Sequence, residues 1–309
     1  MAGQVWHTNA LGGYMWSANL SRKLRTALQP MVRFRQFCDA REAFGLGKGE
    51  TFNWNVYSDL ADDGAERTLD ETQVMPESNF SISQNALTVT EYGVSVPFTK
   101  KLDDLSEHPV TEIIHKVLKN DARKALDSAA YAQFNAALVR VQGPDATSIV
   151  VTENGTPAGV SLEFAKEHAK LIADEMAERD IPTFDGNNYM AIARPSTLRG
   201  FKDDLEAIHQ YTSEGWHVIM NGEKGRYEGV RYCEQTNVAS KGYTNTDQIF
   251  FFGSDTVVEA VAIPEEIRGK IPTDFGRSRG IAWYALLGYG LVHPTDTTQQ
   301  RILVWDSTT

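Results

Sequence analysis

The stretch from residue 49 to residue 99 constrains this chain most, because it reads as two strands separated by a segment that fits no packed element. Phe52, Trp54 and Val56 alternate with Asn53, Asn55 and Tyr57, the period of a strand with one apolar face. Leu87 and Val89, then Val94, Val96 and Phe98, alternate in the same way. Between these runs Asp59, Asp62, Asp63, Glu66, Asp70, Glu71 and Glu77 face a single cation, Arg67, and show no helical period. A structureless segment of about 20 residues is uncommon inside a compact domain, and a lone two-stranded ribbon is marginal in water. The pattern predicts an extended loop that lies on another surface, with a second copy of the chain as the expected support. The alternative is a mobile acidic surface loop.

A long helix should follow. Pro109 fits a first helical position after Ser106-Glu107-His108. Val110, Ile113, Ile114, Val117, Leu118, Ala122, Ala125, Leu126 and Ala129 then keep the three-four spacing of one buried face, with Lys116, Lys119, Arg123 and Lys124 at other positions. Running to about Leu138, this helix would be roughly 45 Å long. Gly143-Pro144 is expected to end the region.

Residues 145–256 read as an α/β unit. Asn154-Gly155 is a hairpin signal between Ile149-Val150-Val151 and Val160, and Ser161 opens a helix carrying Leu162, Ala165, Ala169, Ile172, Ala173 and Met176 that stops before Pro182. Tyr189–Ala193 is a short apolar strand, Pro195-Ser196 starts a helix through Leu198, Phe201 and Leu205, and Trp216, Val218 and Met220 meet a turn at Asn221-Gly222 before a return through Val230 and Tyr232. Strands at Ile249–Phe252, Val257–Ala262, Ile281–Leu287 and Arg301–Trp305 close the chain.

Composition narrows function. A formal charge of −11 argues against nucleic-acid gripping as the main task. Cys38 and Cys233 form neither a CxxC pair nor a disulfide framework, and read as plain buried or half-buried thiols. Met1–Trp6 lacks a basic region followed by an apolar core, so no signal peptide is expected. The longest apolar stretch, Ile281–Val292, is too short to span a membrane and is interrupted by Gly288 and Gly290. The chain contains no GxxxxGK[ST], HExxH or GxSxG motif, and Gly45-Leu46-Gly47-Lys48-Gly49 precedes a strand where a phosphate cradle would precede a helix. His108 and His115 are seven apart without a carboxylate cluster, and the acidic stretch lacks a calcium-loop register. No catalytic residue, metal or cofactor is expected, and the chain is not read as an enzyme.

The order of parts, together with Val89-Thr90-Glu91-Tyr92-Gly93-Val94-Ser95-Val96-Pro97-Phe98 and Gly222-Glu223-Lys224-Gly225-Arg226-Tyr227-Glu228-Gly229-Val230-Arg231-Tyr232-Cys233-Glu234, resembles tailed-bacteriophage major capsid proteins of the Hong Kong 97 fold, and phage N-four and its relatives in particular. The resemblance implies an α+β fold. Its parts would be an N-terminal arm (1–48), an extended β-hairpin loop (49–100), a peripheral domain with a spine helix (101–140 and 257–309) and an inserted α/β axial domain (141–256). It also implies self-assembly into hexamers and pentamers, an icosahedral shell around packaged double-stranded DNA contacted non-specifically, a portal, and room for a decoration protein. The shell would sit in the virion and assemble in the host cytoplasm.

The residues add expectations of their own. Basic Arg22, Lys23, Arg25, Arg33 and Arg35 in the arm complement the acidic Asp59, Asp62, Asp63, Glu66, Asp70 and Glu71 of the loop, which with Trp54 are its expected contact residues, so one subunit's arm should contact a neighbour's loop and assembly should weaken as salt rises. The competing reading turns those cations toward packaged DNA. Some members of the family lock their shells through a loop lysine; here no lysine falls between Gly49 and Thr99, so no covalent chain-mail is expected from this loop. About 50 residues without a helical run precede the loop, so a separate scaffold protein is expected. The rival readings are an encapsulin-like nanocompartment shell, a soluble enzyme built on the α/β unit, and a binding module whose acidic loop grips a basic partner.

Overall fold

The computed structural model describes residues 32–38, 40–43, 49–58, 79–157, 159, 161–203, 226–238 and 246–308, with isolated positions between 60 and 77. Along the chain, β1 spans Ala40–Ala43, β2 Thr51–Tyr57, β3 Ile82–Thr88 and β4 Thr90–Thr99. Helices α1 (Lys100–Leu105) and α2 (Val110–Asn135) follow, then β5 (Arg140–Asp145), β6 (Ser148–Thr152) and α3 (Lys166–Glu178). The remaining strands are β7 (Tyr189–Ala193), β8 (Arg226–Tyr227), β9 (Val230–Glu234), β10 (Thr246–Phe252), β11 (Val257–Gly269), β12 (Ser278–Leu291) and β13 (Ile302–Thr308). Among the described residues a four-stranded sheet has the order β1-β11-β12-β4, a seven-stranded sheet the order β6-β5-β13-β10-β7-β9-β8, and β2 and β3 form a two-stranded ribbon.

The alternation of β12 decides what lies on each face of the four-stranded sheet. Ile281, Trp283, Ala285, Leu287, Tyr289 and Leu291 point into the core shared with α2. Leu286 and Val292 point the other way, into a smaller cluster with Leu87, Val89, Phe52 and Trp54. Side chains of successive strand residues point to opposite faces, so one strand serves two partners. Helix α2 therefore covers one face and the β2–β3 ribbon docks on the other.

Helix α2 buries Val110, Ile114, Leu118, Ala122, Leu126, Ala130 and Phe134, an unbroken four-residue spacing. It begins and ends inside the expected limits. Pro109 is the N-cap at ψ 95° and not the first helical residue. The helix stops at Asn135, three residues short of Leu138, because the chain turns there into β5; the Arg140 guanidinium donates to the Asn135 carbonyl, which the helix can no longer satisfy. The 26 residues give a length of about 39 Å.

The Ile249–Phe252 run is buried on both faces, which is why it shows no alternation. Phe250 and Phe252 join the α2 core, while Ile249 and Phe251 join a second core with α3, Phe164 and Trp305. Several local expectations fail around this sheet. The hairpin after β5 turns at Ala146-Thr147, not at Asn154-Gly155. Gly143-Pro144 lies within β5, at the register irregularity between Gln142 and Asp145, a position that tolerates a proline. Ser161 opens no helix: its hydroxyl accepts from the Gly143 amide (3.1 Å) in an extended segment, and α3 starts five residues later, where His168 Nδ1 accepts from the Ala165 amide (3.2 Å). β13 pairs with both β5 and β10 and so belongs with the seven-stranded sheet. The expected 195–205 helix is a turn at 195–198 and helical at 199–203, and the expected strand at Trp216–Met220 lies outside the described residues.

The end of the arm is core, not tail. Phe34–Phe37 form a 3-10 turn, and Phe34, Phe37 and Cys38 are buried in the α2 core. The backbone amide of Arg35 donates to Asp127, which also accepts from Gln235 (2.6 Å) and Asn237 (2.9 Å). Burial raises the Asp127 carboxyl above its ordinary range, against these donors. Backbone β1 then runs parallel to β11, Ala40 opposite Val258. Cys233 is half-buried, so both thiols match the expectation. Replacing Phe134 by Ala should remove the ring that touches Phe34 and Phe252 and destabilise the unassembled subunit by about 3–5 kcal/mol in urea unfolding; a loss under about 1 kcal/mol would show that this junction is dispensable.

Candidate interaction surface

The surface begins with the β2–β3 ribbon. The Trp54 indole donates to the Val292 carbonyl (3.1 Å), and the Asn85 amide donates to the same oxygen (2.9 Å). Trp54 sits opposite Asn85 and Phe52 opposite Leu87, so the half-buried face of the ribbon is one continuous patch. Gly288 and Gly290 make the approach possible. A Cβ on Gly288 would lie 2.6 Å from Leu87 Cδ1 and 2.8 Å from the Thr88 carbonyl oxygen, and one on Gly290 3.1 Å from Leu87 Cβ. The two glycines that interrupt the longest apolar stretch therefore make room for the ribbon. The base of the extended loop thus rests on its own chain, whereas a second copy was the expected support.

Farther out the ribbon exposes Tyr57, Ile82 and Phe80, and Val74 is 88% exposed. Of the loop residues singled out from sequence, Trp54 is an anchor and Glu71 is exposed; Asp59, Asp62, Asp63, Glu66 and Asp70 lie outside the described residues. Of the arm residues, Arg22, Lys23 and Arg25 also lie outside them. Arg33 is half-buried beside a groove. Arg35 is committed inside the chain, at 2.9 Å from Glu259 and bidentate to Glu265 at 2.8 and 3.0 Å. Although burial opposes its charge, the Glu265 hydrogen bond and the Glu259 carboxylate hold its guanidinium protonated above its ordinary range.

A second projection was not foreseen. The distal halves of β11 and β12 form an exposed hairpin whose tip, Asp274-Phe275-Gly276, has three successive positive φ values of 55°, 52° and 85°. Phe275 is fully exposed there, with Ile271 and Ile267 on the same arm. Arg268 lies 3.9 Å over the Tyr284 ring, and the Tyr284 hydroxyl meets Glu91 at 3.1 Å. The signal was present in Pro264-Glu265-Glu266-Ile267-Arg268, a strand with charges at solvent-facing positions, but only Val257–Ala262 reads as apolar.

A groove of about 810 Å³ lies on the α2 side, between the 3-10 turn, α2 and β11; its lining includes Arg33, Lys116, Lys119, Arg123 and Glu266. Among the described residues no group of three or more His, Cys, Asp or Glu side chains is placed to hold a metal, and no helix is long and apolar enough to cross a membrane.

Gly288→Ala should push the ribbon off the sheet and cost about 1–3 kcal/mol in its local docking, and Trp54→Ala a similar amount. Faster amide hydrogen exchange at 51–57 and 82–88, with α2 unchanged, is the expected reading; unaltered exchange in both variants would mean that the ribbon is held by other contacts.

No family model matches the chain, and no curated protein sequence matches it. Solved structures do. The capsid of Ralstonia phage GP4 superposes with a TM-score of 0.68 at 11% identity, covering 100% of this chain and 98% of that one. The acid-stable capsid of Helicobacter pylori bacteriophage KHP30 gives 0.68 at 12% identity over 98% and 97% of the two chains. The cyanophage Pam1 capsid gives 0.63 at 16% identity over 95% and 98%. Across nearly its whole length the chain has the α+β, Hong Kong 97-type fold of tailed-phage capsid proteins.

Proposed function

We propose that the chain is a major capsid protein, a structural subunit that self-assembles into hexamers and pentamers and closes an icosahedral shell around packaged double-stranded DNA. The supporting observation is the extent of the likeness: the two superpositions at a TM-score of 0.68 leave almost nothing over on either chain. In this reading residues 1–48 are the arm, 49–100 the extended loop, 101–140 with 257–309 the peripheral domain, and 141–256 the axial domain, with β13 crossing into the axial sheet. Phe34–Phe37 joins the arm to the core of its own subunit. The exposed ribbon and the β11–β12 hairpin are the parts that reach neighbours, because exposed apolar projections of this kind are stable when a partner covers them. A portal, a separate scaffold protein, a possible decoration protein and non-specific contact with DNA complete the set of partners. The shell is part of the virion and assembles in the host cytoplasm.

Expression of the chain alone and with its neighbouring genes, followed by electron microscopy of the high-mass fraction, tests this. Closed shells or rings of five and six subunits are expected; a monodisperse monomer in both preparations, even at high concentration, would defeat the proposal. The loop carries no lysine between Gly49 and Thr99, and the flanking Lys100 ammonium is held by Asp104 at 3.1 Å. Assembled particles should therefore run as single chains on a denaturing gel, and a ladder of covalently joined chains would contradict that expectation.

A further inference from the structure

The two strands of the ribbon contain nothing that titrates near neutrality: Thr51–Tyr57 and Ile82–Thr88 hold no histidine, carboxylate, lysine or arginine. The point that anchors them does have such a group beside it. The Val292 carbonyl that takes both the Trp54 and the Asn85 donors belongs to the peptide joining Val292 to His293. His293 is 7% exposed, and its Nε2 has no hydrogen-bond partner among the described residues. Its own carbonyl accepts from the Gln300 amide (3.3 Å), and Gln300 Oε1 accepts in turn from the Leu138 and Val139 amides (2.6 and 2.8 Å). The Val292 amide donates to the Thr256 carbonyl (3.0 Å). One buried histidine thus sits where the ribbon, the approach to β5 and the turn between β10 and β11 are tied together.

The charges that face this imidazole come from three places. Arg301, at the entry to β13, lines the same small void as His293 and donates to Asp255 in the β10–β11 turn at 2.9 Å. Asp296 lies on the same loop as His293 and accepts from the Thr298 amide and hydroxyl. Farther along that loop Thr297 is held by Arg179 and Glu153, which pair with each other at 2.8 Å. Burial first, and then the Arg301 guanidinium, hold the imidazole below its ordinary range, and the pull of Asp296 and Asp255 does not cancel them. We propose that His293 is an acid-operated release for the extended loop: on taking up a proton it leaves its buried site and turns the peptide whose carbonyl holds Trp54 and Asn85. In the released form the imidazole meets water and returns to its ordinary value of about 6.5, above that of the docked form. Protons therefore bind the released form preferentially. Docking is complete above about pH 6.5 and is lost as the pH falls below it. The inference goes beyond the capsid reading and is a property of the single subunit.

Amide hydrogen exchange on the full-length chain tests this, each rate being divided by that of an unstructured peptide at the same pH. Between about pH 7.5 and 5.5 the protection of 51–57 and 82–88 is expected to fall by up to about tenfold, with α2 unchanged. In His293→Gln, whose side chain stays neutral, the ribbon should keep the same protection at both pH values. Ribbon protection that does not respond to acid in the wild type overturns the proposal. So does an acid loss of the same size in His293→Gln, or one shared equally by α2, which would place the response in the whole fold. If His293→Gln already lacks ribbon protection at pH 7.5, Arg301→Gln decides. It leaves the imidazole facing Asp255 and Asp296 without the opposing cation, so a smaller acid loss supports the proposal and an unchanged one overturns it.

Discussion

The meeting of Phe34, Phe134, Phe250 and Phe252 holds the two sheets in one body. Phe34 lies 5.2 Å from Phe134 and 5.4 Å from Phe250, and Phe134 lies 5.1 Å from Phe252. These rings come from the 3-10 turn, the end of α2 and the central strand β10. Tilted and edge-on aromatic contacts at these distances add to the gain from burial alone. Without the junction, α2 would belong to the four-stranded sheet only, and the seven-stranded sheet would keep its second core with α3. Because α2 ends here, its direction is fixed against both sheets, and so is the place where its exposed face points.

That fixed frame gives the projections their meaning. The ribbon is a two-stranded element, marginal by itself, and it is held by a short set of contacts: two donors on the Val292 carbonyl, the Leu87 contact with Gly288 and Gly290, and the Phe52–Trp54 patch. The distal β11–β12 hairpin has less support, with Phe275 wholly in solvent and a tip held at positive φ. A chain that spends strained turns and apolar side chains on unsupported arms has part of its stabilising contact outside itself. The strand edges agree with this. β4 is an outer strand that carries Pro97, a residue without an N–H to offer, so open-ended pairing along that edge is blunted while the side chains remain free for specific contact.

Much of the local structure was legible in the sequence. β2 and the long helix stand where periodicity puts them, and β7 and β10 stand where short apolar runs put them, since each depends on residues adjacent in the chain. What was not legible depends on contacts far along the chain. The 3-10 turn at Phe34 is too short to show a period, and its burial is set by α2 and β10, about 100 and 215 residues away. Ser161 looked like a helix cap because serine caps helices, but its hydroxyl is taken by the Gly143 amide. β13 follows β12 in sequence yet crosses into the other sheet, a choice made by pairing with β5 and β10 that no local pattern carries. Of the interaction residues, Trp54 was identified from its alternation, and its indole donates to the Val292 carbonyl of its own chain, a pairing that no local pattern shows. Arg35 was grouped with the arm's free cations because sequence shows charge without showing that Glu259 and Glu265 are already beside it.

The same distinction separates charges that stabilise a subunit from charges left for association. Arg140 and Asp306 are both buried, and burial raises the Asp306 carboxyl even with the guanidinium at 3.2 Å; such a pair fixes β5 against β13 and contributes specificity more than net stability. Exposed pairs such as Lys170–Glu167 are screened and individually weak. Neither kind draws two copies together. Cations held in a row along a rigid helix can do so, because their side chains have no competing partner and the helix keeps their spacing. A net negative chain repels its copies in most orientations, and an unpaired basic face such as that of α2 among the described residues would attract them in few. That asymmetry selects geometry during encounter, before any apolar surface is buried, and it lets weak contacts repeated over many subunits decide which assembly forms.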